Sequence, residues 1–172
     1  GRLEVWIFED EVREYAGIIV RDYGDGLSQE DYRRISQPLG METDNAKKAD
    51  NAYKAASVLA SAKKLSQARS YAQKAISFNE NFGAPYILIA QLYAGNYKWN
   101  DEPALNKCTF FAAIDKLQRA KAVDPSVAEE ANKLISSYSA YTPEAKDLFM
   151  LGYKAGDRIT IGGWIGETTT IR

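Results

Sequence analysis

One thiol and a small group of carboxylates are the side chains whose types could do chemistry. Cys108 is the single cysteine and the chain has no histidine. A Cys–His nucleophile and an intramolecular disulfide are therefore both excluded. A cysteine attacks as its thiolate, which needs a basic neighbour or a lowered pKa, and the sequence offers Cys108 no evident activator. Glu9, Asp10, Glu11 and Glu14 contain carboxylate pairs of the kind glycosidases place across a scissile bond. Surface elements present such pairs constantly, and no spacing resembles a calcium loop. Gly162-Gly163 lacks phosphate-loop spacing and precedes no helix. The expectation is a protein that is not an enzyme, with no cofactor and no metal site.

The composition is that of an ordinary globular chain. Its 172 residues can bury one good core, with 45% hydrophobic and 26% charged side chains. A net charge of −1 lacks the basic footprint of a nucleic-acid binder. No apolar run approaches the ~18 residues of a membrane span. Charge is uneven along the chain: residues 1–43 carry 5 basic and 10 acidic groups, and residues 44–76 carry 7 basic and 2 acidic. Either these stretches are solvated faces that attract each other, or Lys47, Lys48, Lys54, Lys63, Lys64 and Lys74 dock an acidic partner. The chain begins at Gly1 instead of Met, which reads as a processed or recombinant start.

The elements that must position any site follow from one side-chain pattern that occurs twice. Ala52, Ala55, Ala56 and Leu59 precede Leu65, Ala68, Ala72 and Ala75; Tyr86, Ile89, Ala90 and Tyr93 precede Phe110, Ala113, Leu117, Ala120 and Pro125. Small residues four and three apart let two antiparallel helices approach closely. The predicted helices run from Asp44 or Asn45 to Lys63, Ser66 to Phe78, Ala84 to Gly95 and Asn106 to Val123. Nine positions normally join the two halves of a copy, as from Leu59 to Ala68; twenty separate Tyr93 from Ala113, so eleven are inserted. The insertion near 95–106 reads as a loop that displays Tyr97 and Trp99.

The flanks are read more simply. In residues 1–43, Leu3, Val5 and Ile7 alternate as in a strand, but Val12, Ala16, Ile19, Val20 and Tyr23 follow helical spacing, and a helical segment is expected. Residues 126–156 form a capping helix pair, the second helix opened by Thr142 as cap with Pro143 and ended by Gly156. Residues 157–172 form a β-hairpin turning at Gly166-Glu167, with Trp164 packed on the last helices.

The two copies, spanning residues 44–125, resemble tetratricopeptide repeats. The run from Asp115 to Tyr138 and the closing Gly162–Arg172 resemble the C-terminus of such proteins in Bacteroidetes. The resemblance implies an all-α, right-handed array of antiparallel helix pairs and an extracytoplasmic setting in the cell envelope. Some relatives carry a cysteine in the closing hairpin; here a glycine pair stands there, leaving Cys108 without an implied partner. Carried over by position, the concave surface would be Asp50, Tyr53, Ser57 and Ser61, then Ile87, Gln91 and Ala94. The family's carboxylate clamp requires lysine and asparagine at these positions, so an acidic chaperone tail is disfavoured there. With Tyr97 and Trp99 in the insertion, these residues define a candidate surface for a protein or peptide partner. The alternative is a structural or homo-oligomeric segment of a longer repeat protein.

Overall fold

Alanines set the geometry of the first helix pair. The computed structural model describes residues 3–10, 15–22, 45–95 and 98–172, in two compact units, Gly1–Glu80 and Asn81–Arg172. In the first unit, α1 (Asn45–Ser61) packs on α2 (Leu65–Phe78). Ala49, Ala52, Ala56 and Leu59 on one side, and Ala68, Ala72 and Ala75 on the other, are buried. Side chains this small bring the axes to the near end of the ~8–10 Å range of packed helices. A three-residue turn joins the pair, with Lys63 at φ 60° and the Lys64 amide donating to the Leu59 carbonyl at 2.9 Å. This closure normally falls to glycine, and lysine holds it at a cost of roughly 1 kcal/mol.

Over residues 3–10 and 15–22 the helical expectation is overturned, and residues 23–43 lie outside the described residues. Leu3–Asp10 (β1) and Tyr15–Asp22 (β2) pair antiparallel, with Val5 opposite Val20 and Ile7 opposite Ile18. The alternation of Leu3, Val5 and Ile7 was the stronger signal. The β-branched run Ile18-Ile19-Val20 suits a pleated ribbon better than a helix, where such residues lose χ1 freedom. Val12 and Tyr23 lie outside the described residues.

The second unit repeats the crossing with larger partners. Helix α3 (Gly83–Ala94) packs on α5 (Thr109–Val123), burying Tyr86, Ile89, Ala90 and Tyr93 with Ala113, Leu117 and Ala120. The short α4 (Pro103–Lys107) precedes α5. A 3-10 turn (Pro125–Val127) leads to α6 (Ala128–Ser139), and α7 is Ala145–Met150. Asp124 ties the start of α3 to the end of α5. Its Oδ2 accepts the Gly83 amide at 3.0 Å, and its Oδ1 accepts the Ser126 amide and hydroxyl. These hydrogen bonds, that of the Ser126 side chain foremost, hold the Asp124 carboxyl below its usual range. Gly83 permits the approach, since a Cβ there would lie 2.5 Å from Val127 Cγ2.

The capping helices differ from the expected pair. Helix α6 rests on α5, whereas α7 rests on α4. Thr142 does not cap α7; its hydroxyl donates to the Ser139 carbonyl and closes α6. Proline disfavours the helical region for the residue before it, which displaces the start of α7 to Glu144–Ala145. Gly152, at φ 88°, ends it four positions before Gly156: the Tyr153 amide reaches the Leu148 carbonyl and the Gly152 amide reaches Phe149.

The closing segment is a hairpin, although its turn is longer than expected. Strands β3 (Arg158–Thr160) and β4 (Thr168–Thr170) pair antiparallel, Ile159 opposite Thr169. Residues 161–167 connect them, with Gly163 and Gly166 both at positive φ. The hairpin is fixed to the α3–α5 pair by polar side chains. Thr169 donates to Asp115 at 2.6 Å, and Arg172 pairs with the same carboxylate. Glu167 accepts the Tyr93 hydroxyl at 2.6 Å and pairs with Lys116 at 2.8 Å. Trp164 packs on Tyr93 of α3, with ring centroids 5.8 Å apart. The described chain is thus mostly helical, with small antiparallel two-stranded sheets.

Candidate functional site

The insertion between α3 and α5 is built around one amide side chain. Asn106 Oδ1 accepts the backbone amides of Trp99 and Asn100 at 2.8 and 2.9 Å, and its Nδ2 donates to the Asn100 carbonyl at 2.8 Å. Asn100 Oδ1 in turn accepts the Glu102 amide, and Pro103 opens α4 at its first turn, where a missing N–H costs nothing. The clasp turns Trp99 inward. It packs on a small core of Leu105, Cys108, Phe111, Leu148, Ile159 and Ile171. Gly162 makes room for its ring, because a Cβ there would sit 3.1 Å from Trp99 Cε3. Trp99 is therefore a packing residue and not the displayed contact expected from a loop aromatic. Tyr97 lies outside the described residues.

Cys108 belongs to the same core. It is fully buried, its Sγ faces the Ala104 carbonyl at 3.7 Å, and burial pushes the thiol up to about 11. Desolvation disfavours the thiolate, so the sulfur behaves as a small apolar group at neutral pH. Among the described residues no group of three His, Cys, Asp or Glu side chains is placed to hold a metal ion. Glu9 and Asp10 end β1, and Glu11 and Glu14 lie outside the described residues.

Between the insertion, the end of α3 and the start of α5, an open groove of about 490 Å³ is lined by Ala94, Gly95, Lys98, Pro103, Asn106, Lys107, Thr109, Phe110 and Tyr141. Its wall is aromatic. Phe110 and Tyr141 stack with centroids 5.5 Å apart and planes 24° apart, and Tyr138 meets Phe110 edge-on at 5.8 Å. Tyr138 is half-buried, and that burial raises its phenol pKa. Tyr141 is 59% exposed. Most polar groups of the lining are already committed: Asn106 to the clasp, and the Thr109 hydroxyl to the Asn106 carbonyl at 3.0 Å. The two ammonium groups, Lys98 and Lys107, supply the charge.

The residues singled out from the sequence fall in different places. On α1, Asp50 pairs with Lys54 one turn on, Ser57 donates to the Tyr53 carbonyl, and Ser61 donates to the Ser57 carbonyl. Both serine hydroxyls are spent on their own helix. Tyr53 is half-buried on the same helix. Ile87 is 4% exposed and is a core residue, not a groove surface; α3 is apolar on every face, so helical position alone did not mark which side is open. Gln91 is exposed. Of the positions carried over from the repeat, Ala94 is the one that lines the groove. Lys107 and Tyr141 escaped the sequence reading, because nothing in a single chain relates a lysine on an inserted helix to a tyrosine 34 positions later. Phe110 carried a signal, as the large residue heading the second copy where the first has Leu65.

Compared with known proteins, the chain matches no family model, no curated protein and no solved structure.

Proposed function

We propose that the protein is a non-catalytic helical scaffold of the tetratricopeptide type that binds a protein or peptide partner, in the cell envelope of a bacterium. The repeat reading is supported by buried residues at equivalent places in both pairs, Ala68, Ala72 and Ala75 in one and Ala113, Leu117 and Ala120 in the other, small at all but one of them. The envelope setting rests on the resemblance of Gly162–Arg172 to the closing segment of exported repeat proteins. No helix of the described residues is long and apolar enough to cross a membrane.

The observation that carries the binding role is the groove at Phe110 and Tyr141. A stacked aromatic pair left open to solvent beside two exposed lysines is the composition of a recognition surface, where aromatic side chains supply most of the contact energy. Peptide display on the intact chain tests it. Enriched sequences should lose binding to Tyr141→Ala while the variant keeps its far-UV spectrum and melting temperature. Enrichment unaffected by that substitution would remove the groove from the function.

The alternative, a structural or self-associating segment, draws on a different observation. Phe149 and Met150 at the end of α7 are 73% and 77% exposed. Sedimentation equilibrium separates the two: a concentration-dependent dimer abolished by Met150→Ser favours the structural role, and a monomer at all concentrations favours the binding module.

A further inference from the structure

We infer that the groove takes a peptide in which an aromatic or large apolar side chain is followed closely by carboxylates, an inference that rests on the binding role proposed for this groove. The anchor follows from the wall. Tyr141 covers Phe110 on one face and leaves its other ring surface to solvent, so a second aromatic or a long aliphatic chain gains an offset stack and loses little water-facing polar surface. A volume of about 490 Å³ holds one such side chain and part of its neighbours, within the ~300–1,000 Å³ of pockets that bury small ligands.

The carboxylate follows from charge complementarity. Among the described residues both ionised lining groups are lysines, and no aspartate or glutamate lines the groove. Lys107, the last residue of α4, is exposed and has no carboxylate partner among the described residues. Lys98 faces Asp101 at 3.5 Å, with both side chains largely in solvent. Such a pair contributes about 0–1 kcal/mol and exchanges readily for a ligand carboxylate. Because the Asn106 amide and Thr109 hydroxyl are engaged within the fold, the ammonium groups are the charged donors left for a ligand, beside the exposed Tyr141 phenol. They favour an anion and repel a basic peptide. A concave slot suits a protruding side chain better than the plane of a bilayer, which makes a peptide the occupant.

Fluorescence anisotropy with the intact chain tests this. The probes are a capped, dye-labelled pentapeptide with one phenylalanine followed by two aspartates, its diasparagine isostere and its dilysine counterpart. The acidic peptide is expected to bind about five- to tenfold more tightly than the isostere at low ionic strength, with the gap closing as salt rises. Lys107→Gln should remove at least half of that discrimination and leave the isostere unchanged. Tyr141→Ala should weaken both by about tenfold. Equal affinity of acidic and amide peptides, still sensitive to Tyr141→Ala, overturns the charge assignment and leaves the groove as a binding site. Insensitivity of every peptide to Tyr141→Ala overturns the groove and this inference together. Preference for the dilysine peptide overturns it as well. So does Lys107-dependent cosedimentation with phosphatidylglycerol vesicles in the absence of any peptide discrimination.

Discussion

Between α1 and α2 the chain turns in three residues, 62–64; between α3 and α5 it spends fourteen, 95–108, and builds α4 on the way. Both pairs nevertheless close over buried residues at the same spacing, Ala68, Ala72 and Ala75 in one and Ala113, Leu117 and Ala120 in the other. The contact surfaces lie on the helices themselves, so the connection is free to grow. Each doubling of a loop costs only about 0.6 kcal/mol of closure entropy, and the longer connection offsets this by burying Leu105 and Cys108 against Leu148, Ile159 and Ile171. In the first pair Ser57 and Ser61 turn back on their own helix, and Lys48 lies over the Phe78 ring of the facing one. The second acquires a small accessory core, a docked β-hairpin and an open aromatic groove. The insertion thereby adds structure instead of a free loop.

If the two crossings are equally close-packed, a buried leucine in each should be costly to truncate, although Leu59 and Leu117 stand on opposite helices of their pairs. Leu59 and Leu117 are both fully buried, and each leucine-to-alanine change should lower the unfolding free energy by about 2–5 kcal/mol in urea titrations. Similar losses would sustain the equivalence, whereas a loss below about 1 kcal/mol at either site would break it.

The next test concerns a feature that only the second pair has. Gly83→Ala places a methyl against Val127 and Asp124, and overpacking there should cost about 1–3 kcal/mol by thermal melting. An unchanged midpoint would mean that the start of α3 does not need its close approach to the 3-10 turn.

How much of this was legible follows from the same contrast. The alanine spacing of Ala68, Ala72 and Ala75 is a local, periodic signal, and it placed α2 to within a residue. The packing of Trp99 was not legible, because its partners Leu148, Ile159 and Gly162 lie about fifty positions and more downstream. The hairpin register was similarly hidden. Thr168-Thr169-Thr170 marked a strand, but Gly163 and Gly166 take positive φ together and widen the turn beyond a two-residue solution. In the N-terminal segment, two periods competed over short runs, and the cross-strand pairing of Ile7 with Ile18 decided between them. For the candidate site, the helical positions pointed to α1, while the open aromatic surface arises where α3, α4, α5 and the end of α6 meet.

Two smaller effects sharpen the comparison of the turns. Lys63→Gly should stabilise the first pair by about 0.5–1 kcal/mol, since glycine takes φ 60° without the Cβ penalty; calorimetry showing a loss instead would argue that the lysine side chain anchors the turn. In the second pair, Asp124 is held below the usual carboxylate range by its hydrogen bonds from Ser126 and Gly83. A carboxyl whose folded pKa is depressed stabilises the fold above its unfolded value of 3.8 and loses that contribution as pH falls through the folded value. Wild type should therefore lose part of its stability advantage over Asp124→Asn in acid melts below about pH 4. A constant difference across that window would assign the residue no role in holding the turn.

The account stands or falls on where a ligand touches the chain. Amide NMR of the labelled 172-residue chain, titrated with the phenylalanine–aspartate peptide, reads this directly. The account predicts shifts clustered at Ala94, Gly95, Asn106, Lys107, Thr109, Phe110 and Tyr141. Shifts centred on Asp50, Tyr53, Ser57 and Ser61 of α1, with the groove resonances unmoved, would contradict it.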